Sequence, residues 1–224
     1  MSSLERLSSQ YACCGSHCHK RRSMLGHMSE ATRSPRLDLR GAARDAVRDQ
    51  VAESALRLFD EHGFDATTVD DVARAVGISP RSFFRYFTSK EDAVVGDPMP
   101  YGRLVTDDLA ARPADEQPWD SLRAALQRLV DDAENDRGML TMRVVMSSPS
   151  LRARHLEKHL AWGQMFEPEV LKRIGGLAAT RRLRAHALIH AAFACLDAAF
   201  GEWVALERAR TLSELLDDAF QALR

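Results

Sequence analysis

TTVDDVARAVGISPRSFFRYFTSK, residues 67–90, is the stretch whose reading decides the fold. Thr68 stands where its hydroxyl can accept the amide of Asp71 and open a helix, with Val72, Ala73 and Val76 facing inward. Gly77 closes that helix at the position where a left-handed residue is favoured. Ser79 then caps a second helix, and Pro80 takes its first position, where a missing N–H costs nothing. Phe83 and Phe87 lie four apart and supply its buried side. Two helices joined by the tight turn Gly77-Ile78-Ser79 make a helix-turn-helix, in which the second element can lie in a DNA major groove. Between Ile78 and Lys90 there are three basic residues (Arg81, Arg85 and Lys90) and no acid, with Ser82, Tyr86 and Ser89 as neutral donors. Phosphates and base edges call for that mixture. The competing reading is an ordinary packed helical hairpin.

Outward from this stretch the chain stays helical. Val47, Val51, Ala55, Leu58 and Phe59 recur at helical spacing before Gly63, giving a third helix that can cover the other two. After Lys90 a short helical start meets Gly96-Asp97-Pro98-Met99-Pro100, which must break or kink it. Periodicity then predicts helices near 101–111, 118–136, 139–147, 149–174, 177–209 and 211–223. Nothing alternates at period two and no repeat is visible. The expected class is all-α, with a three-helix DNA-binding domain over 41–92 and a helical ligand-binding and dimerisation domain over 93–224.

Residues 1–40, rich in Ser, His, Arg and Gly, have neither period and read as a disordered basic leader. Met24 and Met28 leave a later start codon open. Residues 1–44 hold eight Lys or Arg against Glu5, Glu30 and Asp38, so within a net charge of −1 the remaining 180 residues stand at −6. A basic arm on a mildly acidic body suits a polyanion partner, or simply a solvated tail. Four cysteines, three of them in the leader, make no disulfide framework, so the expected compartment is a reducing cytoplasm. The longest uncharged apolar run, Ala185 to Leu196, is too short to span a bilayer, and no membrane partner is expected.

The pattern from Ala52 to Val95 resembles the tetracycline-repressor (TetR) family of bacterial regulators. It comprises Phe59-x-x-x-Gly63-Phe64, then Thr67-Thr68-Val69-x-x-Val72-Ala73-x-x-Val76-Gly77-Ile78-Ser79, then Phe83-Phe84-x-Tyr86-Phe87-x-x-Lys90-Glu91. The resemblance implies that Arg81 and Ser82 face base edges or neighbouring phosphates. Phe84 takes a place where many members carry Tyr, which keeps an apolar contact and loses a hydroxyl, leaving Tyr86 or Arg85 to cover the loss. Lys90 would anchor a phosphate, and Thr68 would present a helix N-terminus to the DNA backbone. A homodimer on a palindromic operator, released by a small-molecule effector, is the implied function, most naturally as a repressor.

The later helices carry the expected effector site. Met139, Met142 and Met146 form one adaptable stripe, and His155, His159, Trp162 and Phe166 share a face of the 149–174 helix. Met142, Met146, His159, Trp162 and Phe166 are the expected ligand residues, although such stripes are commonly plain core. The segment Arg143 to Pro149, followed by Leu151-Arg152-Ala153-Arg154, looks like a subgroup that takes acyl-CoA-type ligands, so an acyl-CoA or a fatty acid is the expected effector class. Leu183, Ala187, Ala191, Ala194 and Ala198 form a small-residue side suited to close helix packing. Phe193, Leu196, Phe200, Leu212, Leu215, Leu216 and Phe220 are expected to supply the dimer surface.

Two histidine pairs, His155/His159 and His186/His190, have the i, i+4 spacing that can chelate zinc. The glutamate of the H-E-x-x-H metalloprotease pattern is missing, and the expectation is no metal and no cofactor. Cys13-Cys14-x-x-His17-Cys18-His19 has ligand types in a floppy leader. No P-loop, dinucleotide fingerprint or nucleophile elbow is present, so no enzymatic activity is expected. The alternatives left open are a metal- or redox-responsive regulator, and a helical ligand-binding protein or enzyme that has lost DNA recognition.

Overall fold

The structure, a computed structural model, describes residues 39–224, with side chains from Gly41 onward. Nearly all of the expected leader, with its cysteine and histidine cluster, lies outside the described residues. Within them the chain forms ten helices: α1 (Leu39–His62), α2 (Val69–Val76), α3 (Pro80–Phe83), α4 (Asp92–Val95), α5 (Pro98–Ala111), α6 (Pro118–Ala133), α7 (Asp136–Ser147), α8 (Pro149–Arg173), α9 (Ala178–Ala205) and α10 (Leu212–Gln221). The described residues contain no strand, and the class is all-α.

Local chemistry sets the boundaries. The Thr68 hydroxyl accepts the Asp71 amide at 3.2 Å while the Asp71 carboxylate accepts the Thr68 amide at 3.0 Å, a reciprocal cap that opens α2. These bonds from Thr68 hold the Asp71 carboxyl down at about 2. Gly63 and Gly77 end α1 and α2 at φ +84° and +72°, a region costly for any side chain. Thr211 and Glu214 repeat the reciprocal cap at α10.

Two expectations need correcting. The break over 96–100 is confined to Gly96 and Asp97. Asp97 accepts the Met99 amide at 3.0 Å and caps α5, while Pro98 and Pro100 sit in its first turn, where no intrahelical acceptor is available anyway. The second helix of the helix-turn-helix is also shorter than the sequence suggests. After Phe83 the chain tightens into three-residue turns, Arg85 donating to Ser82 and Tyr86 to Phe83.

α1 buries Val51, Ala55, Leu56 and Phe59 against α2, and the same helix runs on across α4 and α7. In the larger part α8 and α9 lie antiparallel, α5 packs on α8, and α10 covers α9. By length and composition α9 is sufficiently apolar to cross a membrane. Here Ala185, Ile189, Ala192, Phe193, Leu196, Ala199, Phe200 and Trp203 bury its inner face against other helices. The apolar set expected at a dimer surface is therefore spent inside one subunit. Phe193, Leu196, Phe200, Leu212, Leu215, Leu216 and Phe220 are each at most 7% exposed. Exposed apolar residues on these two helices include Leu156 and Leu160 on α8, and Leu183, Ala187, Ala194 and Ala198 on α9.

α5 and α8 approach closely at Gly102. Gly102 is buried, and a Cβ there would overlap the indole of Trp162, itself 2% exposed. Exchanging a mid-helix glycine for alanine ordinarily gains about 0.5–1 kcal/mol. Overpacking a buried indole costs about 1–3 kcal/mol, so the clash wins. Gly102→Ala should lower the urea midpoint without changing the slope; a raised midpoint would show that α5 and α8 are not seated this closely.

Candidate nucleic-acid interface and helical-domain cavity

The α2–α3 pair is built on buried Val72, Ala73, Phe83 and Phe87, and that burial fixes what remains outside. Arg81, Phe84 and Arg85, spaced i, i+3, i+4, form one exposed face, with Phe84 55% accessible. Arg81 makes no hydrogen bond or ion pair among the described residues. The Arg85 guanidinium lies over the Tyr86 ring at 5.8 Å, and its carbonyl accepts Arg44 of α1 at 3.3 Å. Ser82 is half-buried, its hydroxyl accepting from Ser79 at 3.0 Å. Tyr86 is half-buried against the core.

Two expected contacts are already committed internally. Lys90 Nζ donates to the carbonyls of Phe64 at 2.7 Å and Thr67 at 3.0 Å, and lies 4.1 Å from the centre of the Phe64 ring. It clasps the α1–α2 loop; two of its three donors are turned away from solvent. Thr68 spends its hydroxyl on Asp71 at 2.6 Å, and Asp70 and Asp71 place negative charge in the first turn of α2. The first-turn acids weaken the pull of that helix end on a phosphate, and the Thr68 hydroxyl itself is engaged in the cap. The accessible cationic face is Arg81 with Arg85.

A cavity of about 390 Å³ opens between α4–α5, α6, α7, α8 and α9. Trp162 and Tyr101 stack at 6.1 Å across one wall, and Trp162 Nε1 donates to the Pro98 carbonyl at 2.8 Å. Tyr101 donates in turn to Asp132 through a very short bond. Burial and that bond together push the Tyr101 hydroxyl well above its ordinary value. Lys158 Nζ lies 4.8 Å from the centre of the Trp162 ring, and burial pushes its ammonium down to about 8. Leu129, Met142, Leu196 and Phe200 supply apolar wall, while Asp97, Asn135, Arg137 and Thr141 are polar.

At the inner side stand three titratable groups. His155 Nε2 donates to Asp197 at 3.1 Å, and His159 Nδ1 lies 3.3 Å from the second carboxylate oxygen. Burial pushes both imidazoles down, His155 to about 4, so both are neutral near pH 7. For Asp197 burial opposes ionisation, but the two imidazoles more than offset it and hold the carboxyl well below the usual range.

Of the expected ligand residues, Met142, His159 and Trp162 line this cavity. Met146 and Phe166 are not on its wall: Phe166 is fully buried against Phe193, with ring centres 5.4 Å apart, and Met146 packs on the core. Arg143 pairs with Asp60 at 3.4 Å and Arg154 with Glu157 at 3.2 Å; neither reaches the cavity, whose cationic groups are Arg137 and Lys158. The second histidine pair does not join the first, because His186 meets Glu167 at 3.0 Å. Tyr101, Asp132, Lys158 and Asp197 were missed by sequence reading. Only Lys158 carried a signal, standing between two histidines already singled out.

A helix-turn-helix with an exposed arginine face, attached to an all-helical body with a cavity between its helices, defines a DNA-binding regulator with a pocket in its helical domain. One family model, described as bacterial regulatory proteins of the tetR family, matches residues 52–94, and another, the MftR C-terminal domain, matches residues 116–224. Over 138 residues the chain is 33% identical to MftR of Mycobacterium tuberculosis, a transcriptional regulator named for mycofactocin biosynthesis; the match covers 61% of this chain and 70% of that protein. It is 37% identical over 120 residues to the transcriptional regulator TcmR of Streptomyces glaucescens, covering 50% of this chain and 53% of that one. FadR of Bacillus subtilis, solved with stearoyl-CoA, shares the fold at a TM-score of 0.55 and 17% identity, over 78% of this chain and 96% of its own. NalD of Pseudomonas aeruginosa, a repressor of a multidrug efflux pump, does so at 0.54 and 20%, over 80% and 96%. The chain belongs to the TetR family of bacterial transcriptional regulators.

Lys90→Met should remove two charge-assisted bonds and cost about 1–3 kcal/mol, read as a lower urea midpoint. Arg81→Ala, with no such partners, should stay within about 0.5 kcal/mol of the parent. Equal midpoints for all three proteins would show that Lys90 does not hold the α1–α2 loop.

Proposed function

We propose that this chain is a repressor that grips a palindromic operator as a homodimer and lets go when a small amphipathic molecule fills the cavity. The observation that carries this is the α4–α5 joint. Val95, Asp97 and Pro98 form part of the cavity wall, while α4 packs on α1, the helix that covers the helix-turn-helix. A molecule that fits better with this joint displaced shifts α1 and its attached arginine face. Apolar side chains inside and Arg137, Asn135 and Asp132 nearby suit an effector with an apolar body and a polar end. The solved complex of FadR with stearoyl-CoA makes acyl-CoAs and fatty acids the first class to try. A cytoplasmic address and a regulatory role in place of catalysis belong to the same reading.

The exposed stripe Leu183–Ala187–Ala194–Ala198, flanked by Leu156 and Leu160, is the proposed dimer face. The α8 edge carrying Leu160 runs on to Glu167, which meets Arg182 at 2.8 Å and His186 at 3.0 Å, so the two exposed rows adjoin. Small side chains let helices from two subunits approach closely. Leu160→Arg should convert a two-chain species into a monomer by light scattering. A dimer that survives both this change and Ala194→Arg uses another face.

DNA selected from a random pool should contain half-sites roughly one helical turn, about 34–36 Å, apart. Arg81→Ala should cost about 1–3 kcal/mol at one base position, and Arg85→Ala should reduce the salt slope by about one unit. Lys90→Ala should weaken binding without changing that slope, since its ammonium is held by carbonyls. Long-chain acyl-CoAs and fatty acids, titrated against the operator complex, should weaken it about 5–150-fold, with a Trp162-dependent fluorescence change that Trp162→Phe removes. Binding that leaves operator affinity unchanged would refute the coupling.

A further inference from the structure

His155 and His159 leave α8 one turn apart, and Asp197 comes from the facing stretch of α9. Their donor atoms lie within 4.8 Å of one another, with His155 Nε2 at 3.1 Å from one carboxylate oxygen and His159 Nδ1 at 3.3 Å from the other. His159 is 5% exposed; its Nε2 has no hydrogen-bond partner among the described residues, and its Nδ1 has only the Asp197 oxygen at 3.3 Å, outside hydrogen-bond geometry. A buried ring nitrogen in the state of that Nε2 has lost water without gaining a partner, which is unusual unless something else occupies the place. A four-coordinate zinc with bonds of about 2.0–2.2 Å holds its donors about 3.3–3.6 Å apart. The two histidine–carboxylate contacts are near that value, and small side-chain adjustments bring the full set, now within 4.8 Å, onto one ion. Two imidazoles and one carboxylate are the ligand set of zinc sites that keep a fourth position open.

We propose that His155, His159 and Asp197 bind one divalent transition-metal ion, with zinc the best match to the donor set. Both histidines line the cavity, so the open position faces it. There it can take water or an oxygen donor from a bound molecule. That last consequence rests on the cavity being the effector site; the metal site does not. Lys158, between the histidines in sequence, holds its ammonium 4.8 Å from the centre of the Trp162 ring. The pair His186/His190, the first half-buried and the second exposed, lacks this arrangement, with ring centres 6.3 Å apart and His186 engaged by Glu167.

The test uses the full chain with Cys13, Cys14 and Cys18 changed to serine, which removes the leader thiols as competing ligands. Equilibrium dialysis against zinc, without effector or DNA, should leave one ion per chain. His155→Asn and His159→Asn should each weaken retention by more than about 100-fold, beyond the roughly 10–100-fold expected from losing an outer-shell partner. His186→Asn should retain zinc like the parent. Should the histidine variants fail to fold, cobalt on the parent decides. A bound four-coordinate ion gives intense visible bands without thiolate charge transfer, and quenches Trp162, whose ring centre is 5.9 Å from that of His159. No retained zinc, equal retention by the histidine variants, or a spectrum of hydrated cobalt overturns the site. Because no effector enters the assay, such a failure is distinct from failure of the effector titration.

Discussion

The seat of the Trp162 indole on Gly102 is the contact on which the larger part of the molecule depends. With no side chain at 102, the pyrrole side of the ring comes up against α5 and its N–H reaches the Pro98 carbonyl. That bond ties the first turn of α5 to the middle of α8. The same ring receives Tyr101 on one side and Lys158 on another, so one buried indole organises three walls of the cavity. It also places the α4–α5 joint against the cavity. A smaller residue at 162 would leave a void, and a larger one at 102 would push the helices apart.

The head is held by a comparable economy of contacts. Phe59, Phe64, Phe83 and Phe87 interlock beneath the α2–α3 pair, and Lys90 ties the loop entering α2 to the residues that follow α3. Since α3 has only one regular turn, its orientation is set by this aromatic bed and by Arg44 reaching the Arg85 carbonyl. The arginine face is presented by packing that belongs mostly to α1.

Local signals carried most of the fold. Thr68, Gly77, Ser79 and Pro80 place the ends of α2 and the start of α3 through chemistry within four residues of each site. The same holds for Gly63 and for Thr211 with Glu214. What failed was whatever depends on contacts far apart in the chain. Lys90 reads as a free cation until Phe64 and Thr67 fold back on it, more than twenty residues away. The aromatic set of α9 and α10 reads as a spare surface because its partners on α6 and α8 cannot be counted from periodicity. Met142, His159 and Trp162 were found by their shared helical faces, whereas Tyr101 and Asp132 meet only across α5 and α6. Asp197 looks like an ordinary solvated acid until α8 is laid beside α9.

α1 has a second consequence. Its C-terminal half lies on α7, with Asp60 meeting Arg143 and the following loop reached by Ser148 at Asp65. The head is thus braced against the body and not hung from a flexible strap. DNA association need not freeze a swinging module, so little orientational entropy is lost on binding. The cost falls on tolerance. In the proposed dimer the two heads act as calipers of set opening. One added base pair between half-sites turns the second site by about 34° around the helix axis, given about 10.5 base pairs per turn. A head so braced follows that rotation only by the displacement proposed for the effector-filled state, so in the proposed complex the spacer length of the operator counts alongside its bases.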